Sequence, residues 1–111
     1  MTSAEVRFLD RAAVLDDLQR ATAAARRAHP EILRVLLIGS LARGDWTADS
    51  DADLVVVVDR EFLGLLERSR YQIHSSAIPT DTLVYSRAEF EALAADPRSL
   101  LSESLACAAE L

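Results

Sequence analysis

The sequence predicts a small domain of the α/β or α+β class, in which a largely buried sheet is flanked by helices. Apolar runs of strand length alternate with segments whose apolar residues recur at helical spacing, an alternation typical of this class. The runs lie at 34–38, 54–58 and 82–85. The chain has 111 residues, half of them apolar, so one domain can bury a core without disulfides.

The first predicted element is a helix over about 11–28, followed by a strand over about 32–38. Asp10 can cap the helix, and Pro30 prevents its continuation because the residue before a proline is pushed out of the α region. The apolar residues of the helix fall on one stripe at helical spacing. They are Val14, Leu15, Leu18, Ala21 and Ala25.

The middle of the chain predicts a short helical turn over 40–43, a polar loop over 45–50 and a second strand that runs to about Val58. Trp46, in the loop, is expected to pack against the protein rather than to stack on a base. Asp59 can cap a third helix over about 60–70. Its inward-facing residues would be Phe62, Leu65 and Leu66.

The last third predicts a third strand over 80–85 and two helices, and residues 71–74 before it are either a short edge strand or a loop. Ser86 and Glu89 have the spacing of a capping box, which starts a fourth helix. Asp96 followed by Pro97 predicts the start of a last helix. The inward-facing residues of these helices would be Phe90 and Leu93, then Leu101, Leu105 and Ala108.

Charge and cysteine content restrict the class of partner and the compartment. The formal net charge is −6, with twelve arginines and no lysine, so nucleic acid is not expected as the main partner. The lone Cys107 allows no internal disulfide, which indicates a reducing cytoplasm, and it is expected to be a small buried apolar group. Neither a signal pattern nor an apolar run of membrane-spanning length occurs, so no membrane association is expected.

Three aspartates are predicted to meet at one edge of the sheet. Asp51 and Asp53 open the second strand, and Asp81 lies at the head of the third. Positions i and i+2 of a strand share a face, so Asp51 and Asp53 can bind the same ions, and Asp81 joins them if its strand is a neighbour. Hard cations such as Mg²⁺ take carboxylate and phosphate oxygens, so the pattern indicates a metal-assisted phosphate site. The alternative is that all three are turn or loop residues.

A possible phosphate cradle precedes these aspartates. Gly39 and Ser40 close the first strand, where glycine lets the backbone approach a ligand and the serine hydroxyl can donate to it. Arg43 follows about one helical turn later and can donate several hydrogen bonds to phosphate. Alternatively, Gly39 is a simple turn and Arg43 a solvated surface residue.

Together these residues resemble a known family. The segments 39–44, Gly-Ser-Leu-Ala-Arg-Gly, and 50–54, Ser-Asp-Ala-Asp-Leu, are similar to the signature of the nucleotidyltransferase superfamily that includes DNA polymerase beta and kanamycin nucleotidyltransferase. The similarity is greatest to minimal nucleotidyltransferases, the MNT proteins encoded beside HEPN-domain toxins. Leu41 and Ala52 stand where the family commonly has bulkier residues.

The resemblance implies one minimal nucleotidyltransferase domain over 1–111, with a small mixed sheet flanked by four to five helices. It implies that Gly39 and Ser40, with Arg43, contact the triphosphate of ATP. Asp51 and Asp53 would bind two Mg²⁺ ions. Asp81 would be the third metal ligand and a possible base.

The resemblance also implies the acceptor. After the third strand about 25 residues remain, so the acceptor site is expected to come from another chain. In MNT relatives that acceptor is a tyrosine hydroxyl of the HEPN toxin, and its modification silences the toxin. Two alternatives are a non-catalytic antitoxin that neutralises its partner by contact, and a homodimer that modifies a small molecule.

Overall fold

The structure is a computed structural model that describes residues 10–47, 49–61 and 63–111. Within them the chain forms five α-helices, one 3₁₀ turn and a four-stranded sheet. The order is α1 Arg11–Ala28, β1 Ile32–Ile38, α2 Gly39–Arg43, β2 Ala52–Val58, α3 Leu65–Ser69, β3 Thr80–Ser86, α4 Arg87–Ala95, α5 Leu100–Ser104, a 3₁₀ turn Leu105–Cys107, and β4 Ala109–Glu110. The predicted class, a small mixed sheet flanked by helices, is confirmed.

The sheet has the strand order β3-β2-β1-β4 and is mixed. β1 runs antiparallel to both β2 and β4, whereas β2 and β3 are parallel. The parallel pair needs a crossover, which residues 59–79 provide. The end of β1 and the starts of β2 and β3 therefore lie at the same edge of the sheet.

Apolar side chains cover both faces of this sheet. One face, with Val35, Leu54 and Val56, packs against Val14 and Leu18 of α1. The opposite face packs against α4 and α5, and its cluster consists of Leu36, Ile38, Val55, Val57, Phe90 and Leu101. Because β2 is buried on both faces, it is a nearly continuous apolar run and not an alternating one.

The first and fourth helices form as the sequence predicts. The Asp10 carboxylate accepts hydrogen bonds from the backbone N–H groups of Ala12 and Ala13, which the first turn of a helix leaves without partners. The capping box of α4 is present, with the Ser86 hydroxyl accepting from the N–H of Glu89. Trp46 packs against the α1-side core, as expected.

The third helix differs from the prediction. It spans only Leu65–Ser69 and is capped by Gly64, whose N–H donates to the Glu67 carboxylate, so Asp59 is not its cap. Leu65 and Leu66 are 85% and 83% exposed, not inward-facing. Phe62 lies outside the described residues.

The core space that those leucines were expected to fill is occupied by the loop that follows. Tyr71, Ile73 and Ile78 are buried against the sheet instead. Residues 71–74 form a loop rather than an edge strand. The prediction failed because helical spacing alone does not show which of two neighbouring apolar segments the core has room for.

The C-terminal segment also differs from the prediction. Asp96 terminates α4, and Ser99, three residues later, caps α5, so Pro97 does not begin a helix. Leu101 is buried as predicted, but Leu105 belongs to a 3₁₀ turn. Beyond that turn, β4 pairs with β1.

Cys107 is exposed, contrary to the expectation that it is buried. It belongs to the 3₁₀ turn that lies between α5 and β4.

The start of β3 is held by the loop before it. The Asp17 carboxylate on α1 accepts hydrogen bonds from the hydroxyls of Ser75 and Ser76, which also lower its pKa. The N–H of Ala52 donates to the carbonyl of Pro79 at 2.8 Å, which aligns the first residues of β2 and β3. Among the described helices, none has both the length and the apolar character needed to cross a membrane.

Candidate active site

Three strand ends place Ile38, Asp53 and Asp81 in one row across the sheet. Asp53 of β2 pairs in register with Ile38 of β1 on one side and with Asp81 of β3 on the other. The second and third strands are therefore neighbours, which is the condition under which Asp81 was expected to join Asp51 and Asp53. Asp51 lies two residues before Asp53, exposed, just outside the strand.

The turn that follows β1 is packed directly against Asp53. Gly39 has φ +78°, a left-handed conformation that costs other residues about 1–2 kcal/mol. A Cβ atom added to Gly39 would overlap Oδ2 of Asp53 and lie 3.3 Å from its Cγ. Glycine is required here twice, for its backbone angle and for the close approach of the carboxylate.

The aspartates influence one another electrostatically. Burial raises the pKa of Asp53, and the negative charges of Asp81 and Asp51 raise it further, while Arg43 lowers it. Asp53 is thus close enough to Asp51, Asp81 and Arg43 to interact with all three. Repulsion between carboxylates is what a bound cation would relieve.

Ser40 is tied to the loop that leads into Asp51. Its hydroxyl donates to the Ser50 hydroxyl at 3.2 Å, and Ser50 also accepts from the N–H of Thr47 at 2.8 Å. These bonds fix the turn after β1 against the approach to β2. Sequence analysis assigned no role to Ser50; its position directly before Asp51 was the signal available.

Arg43 closes the short helix α2 and remains half-exposed. Its guanidinium contacts Asp45 at 3.4 Å, and 51% of its side chain is accessible. Gly44, at φ +93°, terminates the helix, with its N–H donating to the Ser40 carbonyl. The Asp45 contact is an exposed pair worth about 0–1 kcal/mol, so Arg43 is available to an anionic ligand.

Arg11, which sequence analysis did not single out, braces the same helix. Its Nε and one terminal nitrogen donate to the Leu41 carbonyl at 3.2 and 3.1 Å. The contact joins the start of α1 to α2 over thirty residues of sequence. Nothing in the local pattern around Arg11 predicts so distant a partner.

Comparison with known proteins identifies the family. The sequence profile described as "Nucleotidyltransferase domain" matches residues 18–104, more than three quarters of the chain. This chain belongs to the nucleotidyltransferase domain family. Its reaction class is therefore nucleotidyl transfer, and such domains generally use a nucleoside triphosphate and a divalent metal.

The nucleotidyltransferase fold is also found in a solved structure similar to this chain. That structure is of a protein from Sulfolobus solfataricus which carries the provisional description of nucleotidyltransferase. The two chains share 22% identity with a TM-score of 0.60, over 83% of this chain and 81% of the other. No curated protein matches the sequence at a significant level.

The donor set of this nucleotidyltransferase fits a hard divalent cation. Asp51, Asp53 and Asp81 offer only carboxylate oxygens, which Mg²⁺ prefers. Within residues 10–47, 49–61 and 63–111, no three potential ligand side chains are already arranged as a metal-binding group. Asp51 and Asp81 are exposed, so a cation bound at Asp53 would be accessible to their carboxylates as well.

Proposed function

We propose that this chain transfers AMP from ATP, with Mg²⁺, to a hydroxyl of a partner protein, a helical toxin of the HEPN type, and so acts as an antitoxin. The part of this proposal that concerns the nucleotide and the metal rests on the close approach of Gly39 to Asp53. Asp53 is itself in register with Asp81. Because Gly39 has no side chain, its backbone and the Asp53 carboxylate lie side by side, so one bound triphosphate could contact both. Bound Mg²⁺, two ions with the nucleotide, would supply positive charge against the triphosphate.

In the proposed reaction the acceptor oxygen forms a bond to the α-phosphorus. The bond from that phosphorus to the bridging oxygen breaks, and pyrophosphate leaves with the electron pair. Asp81 is exposed beside Asp53 and would accept the proton of the hydroxyl. Gly39, Ser40 and Arg43 would hold the phosphates, so the protein contributes mainly positioning and charge stabilisation.

An apolar groove beside Asp81 supports a protein as the acceptor. It runs between α3 and β3, and its lining includes Leu65, Leu66 and Leu83. Asp81 and Leu83 are both exposed and two residues apart, so they share a face of β3 and lie about 7 Å apart. Exposed apolar patches of this kind mark surfaces that bind proteins. A partner seated in the groove would bring its hydroxyl to the carboxylates.

The test is a transfer assay with the helical protein encoded beside this chain as acceptor. With ATP labelled on the α-phosphate, the label should appear on the acceptor; with ATP labelled on the γ-phosphate, it should not. Asp53→Asn should slow transfer by several orders of magnitude, because metal ions supply several kcal/mol to the transition state. Transfer from the γ-phosphate, or an unimpaired Asp53→Asn variant, contradicts the proposal.

Leucine variants test the acceptor surface in the same assay. Leu66→Ser should slow transfer to the protein acceptor and leave ATP binding unchanged. Leu100 on α5 is similarly exposed, at 81%, but does not line the groove, so Leu100→Ser is the matched control. Equal transfer by both variants would show that the groove does not bind the acceptor.

A further inference from the structure

A small cavity beside Arg43 shares no lining residue with the groove. Its volume is about 290 Å³, and it is lined by Arg43, Glu103, Ser104 and Cys107. Arg43 comes from the end of α2, and the other three come from the end of α5 and the 3₁₀ turn after it. The family signature in the sequence includes only the first of these four residues.

The cavity adjoins the row of carboxylates. Arg43, which lines the cavity, ends the five-residue helix α2, and the first residue of that helix, Gly39, packs against Asp53, so the cavity and the carboxylates lie at the two ends of one short helix. On the other side, Leu101 of α5 packs in the same cluster as Ile38, the register partner of Asp53. The segment that carries Glu103 is therefore held by the core next to the strand ends.

The lining chemistry selects one part of a nucleotide. A carboxylate and a hydroxyl favour a ligand with hydroxyl groups, since an ionised carboxylate only accepts hydrogen bonds. The negative Glu103 disfavours the triphosphate, and no aromatic side chain is among the four residues that line the cavity to stack on a base. Its volume is at the small end of ligand pockets, suited to one ring of a nucleotide.

We propose that this cavity holds the ribose of the nucleoside triphosphate, with the Glu103 carboxylate accepting hydrogen bonds from the 2′ and 3′ hydroxyls. The inference rests on the proposed function, because it extends the same nucleotide site. Arg43 lies between the triphosphate site and the cavity and contacts a phosphate, while the ribose occupies the cavity beside Cys107. Acceptance of a ribose hydroxyl by an acidic side chain is a known way to recognise a nucleotide sugar.

Cys107 gives a direct probe of occupancy. It is the single cysteine of the chain, it is exposed, and it lines the cavity. Alkylation by N-ethylmaleimide is therefore followed at one defined site of the unaltered protein. With Mg²⁺ and saturating α,β-methylene-ATP, a non-reacting analogue, alkylation should slow at least about fivefold. Inorganic triphosphate, which has no ribose, should leave the rate unchanged.

Sugar preference gives the second readout. The wild-type protein should bind ATP about tenfold or more tightly than 2′,3′-dideoxy-ATP, because charge-assisted hydrogen bonds to Glu103 are lost. Glu103→Gln should reduce that ratio to near one. Glu91 is likewise an exposed glutamate but lies on α4 away from the cavity, so Glu91→Gln should keep the ratio.

The outcomes separate this inference from the proposed function. If calorimetry detects tight, Mg²⁺-dependent binding of the analogue, but Cys107 is alkylated at the unprotected rate and both glutamine variants keep the sugar preference, the ribose site is wrong while the nucleotide site stands. If neither ATP nor its analogue binds, both are overturned. Protection of Cys107 together with loss of sugar preference in Glu103→Gln alone supports the proposal.

Discussion

The close approach of Gly39 to Asp53 determines the geometry of the site at the scale of single residues. A left-handed glycine ends β1, and the carboxylate of the neighbouring strand fills the space where a side chain would otherwise stand. Gly44, five residues later, also has a positive φ but has no atom near the position of its missing Cβ. Substitutions at the two glycines therefore distinguish the effect of backbone conformation, which both share, from the effect of crowding the Asp53 carboxylate, which only Gly39 has.

We predict that Gly39→Ala abolishes Mg²⁺-dependent ATP binding and that Gly44→Ala does not. Both variants should lose about 1–2 kcal/mol of unfolding free energy, because both force a β-carbon into the left-handed region. Only Gly39→Ala displaces Asp53 as well. Denaturant unfolding and calorimetry on the same samples measure the two effects. Equal ATP affinity in the two variants would show that the contact between Gly39 and Asp53 does not contribute to ATP binding.

Asp53 should also limit the stability of the metal-free protein. Burial and the charges of Asp81 and Asp51 all disfavour its ionised form. We predict that Asp53→Asn raises the melting temperature in EDTA by a few degrees, or about 1 kcal/mol, since it removes the charge and nearly keeps the shape. Millimolar Mg²⁺ should stabilise the wild type more than the variant. A variant that melts lower in EDTA and responds equally to Mg²⁺ would mean that Asp53 is structural.

Among the elements, one ion pair joins α3, β3 and α4. The Arg68 guanidinium donates to both carboxylate oxygens of Glu89, at 3.0 and 2.9 Å, and to the Val84 carbonyl at 2.7 Å. Glu89 also accepts from the N–H of Ser86 at 2.9 Å. The pair holds the short helix α3 against the edge strand and leaves Leu65 and Leu66 exposed above it.

This pair predicts a specific pH dependence of stability. Hydrogen bonds from Arg68 and from the Ser86 N–H lower the pKa of Glu89 to about 2, below the ordinary value of 4.5. A lowered pKa contributes stability that is present above pH about 4.5 and is lost as the pH falls toward 2. The side chains are 29% and 42% exposed, so screening by solvent reduces the effect to about 1 kcal/mol.

Glu89→Gln removes the charge and keeps an oxygen for the capping box, so it isolates the ion pair. The wild type should be more stable than Glu89→Gln at pH 6, and the difference should shrink steadily between pH 4.5 and pH 3. Urea unfolding at several pH values measures it. A difference that stays constant over this range would exclude the ion pair as its source.

Much of the fold was predictable from local signals. The caps Asp10 and Ser86 and the apolar runs of β1 and β2 depend on neighbouring residues only, and each formed as predicted. The third helix and the start of the last helix differ from the prediction. Apolar residues of both 65–66 and 71–78 could have filled the same part of the core, and only those of 71–78 are buried. Similarly, Asp96 and Ser99 are both possible helix caps three residues apart, and only Ser99 caps the last helix. Choosing between such competitors requires tertiary packing.

From the sequence, the convergence of the three aspartates could be predicted only on the condition that the second and third strands are neighbours. The spacing of Gly39, Asp51, Asp53 and Asp81 indicated a phosphate and metal site. Only the parallel pairing of β2 and β3, with its long crossover, puts Asp81 beside Asp53. The residues that line the cavity near Arg43 come from the segment whose helix boundaries were wrong, so sequence alone could not reveal them.

For the molecule as a whole, the sheet brings the end of β1, Asp53 of β2 and Asp81 of β3 to one edge. The opposite end of β2 carries Asp59, an exposed carboxylate 3.9 Å from Arg87, and the two left-handed glycines of the described residues, Gly39 and Gly44, do not lie there. The protein thus offers a matched control for its own site on the same strand. An Asp-to-Asn change at either end alters the net charge of −6 equally, so any difference between the two variants reflects position.

Calorimetric titration with α,β-methylene-ATP in the presence of Mg²⁺ tests most directly whether these carboxylates form one metal and nucleotide site. The wild type and Asp59→Asn should bind with equal affinity, and binding should vanish in EDTA. Asp53→Asn should bind about 100-fold more weakly or worse, because a direct contact to the metal is lost. Wild-type affinity in Asp53→Asn, or binding that persists in EDTA, would contradict the assignment of the site.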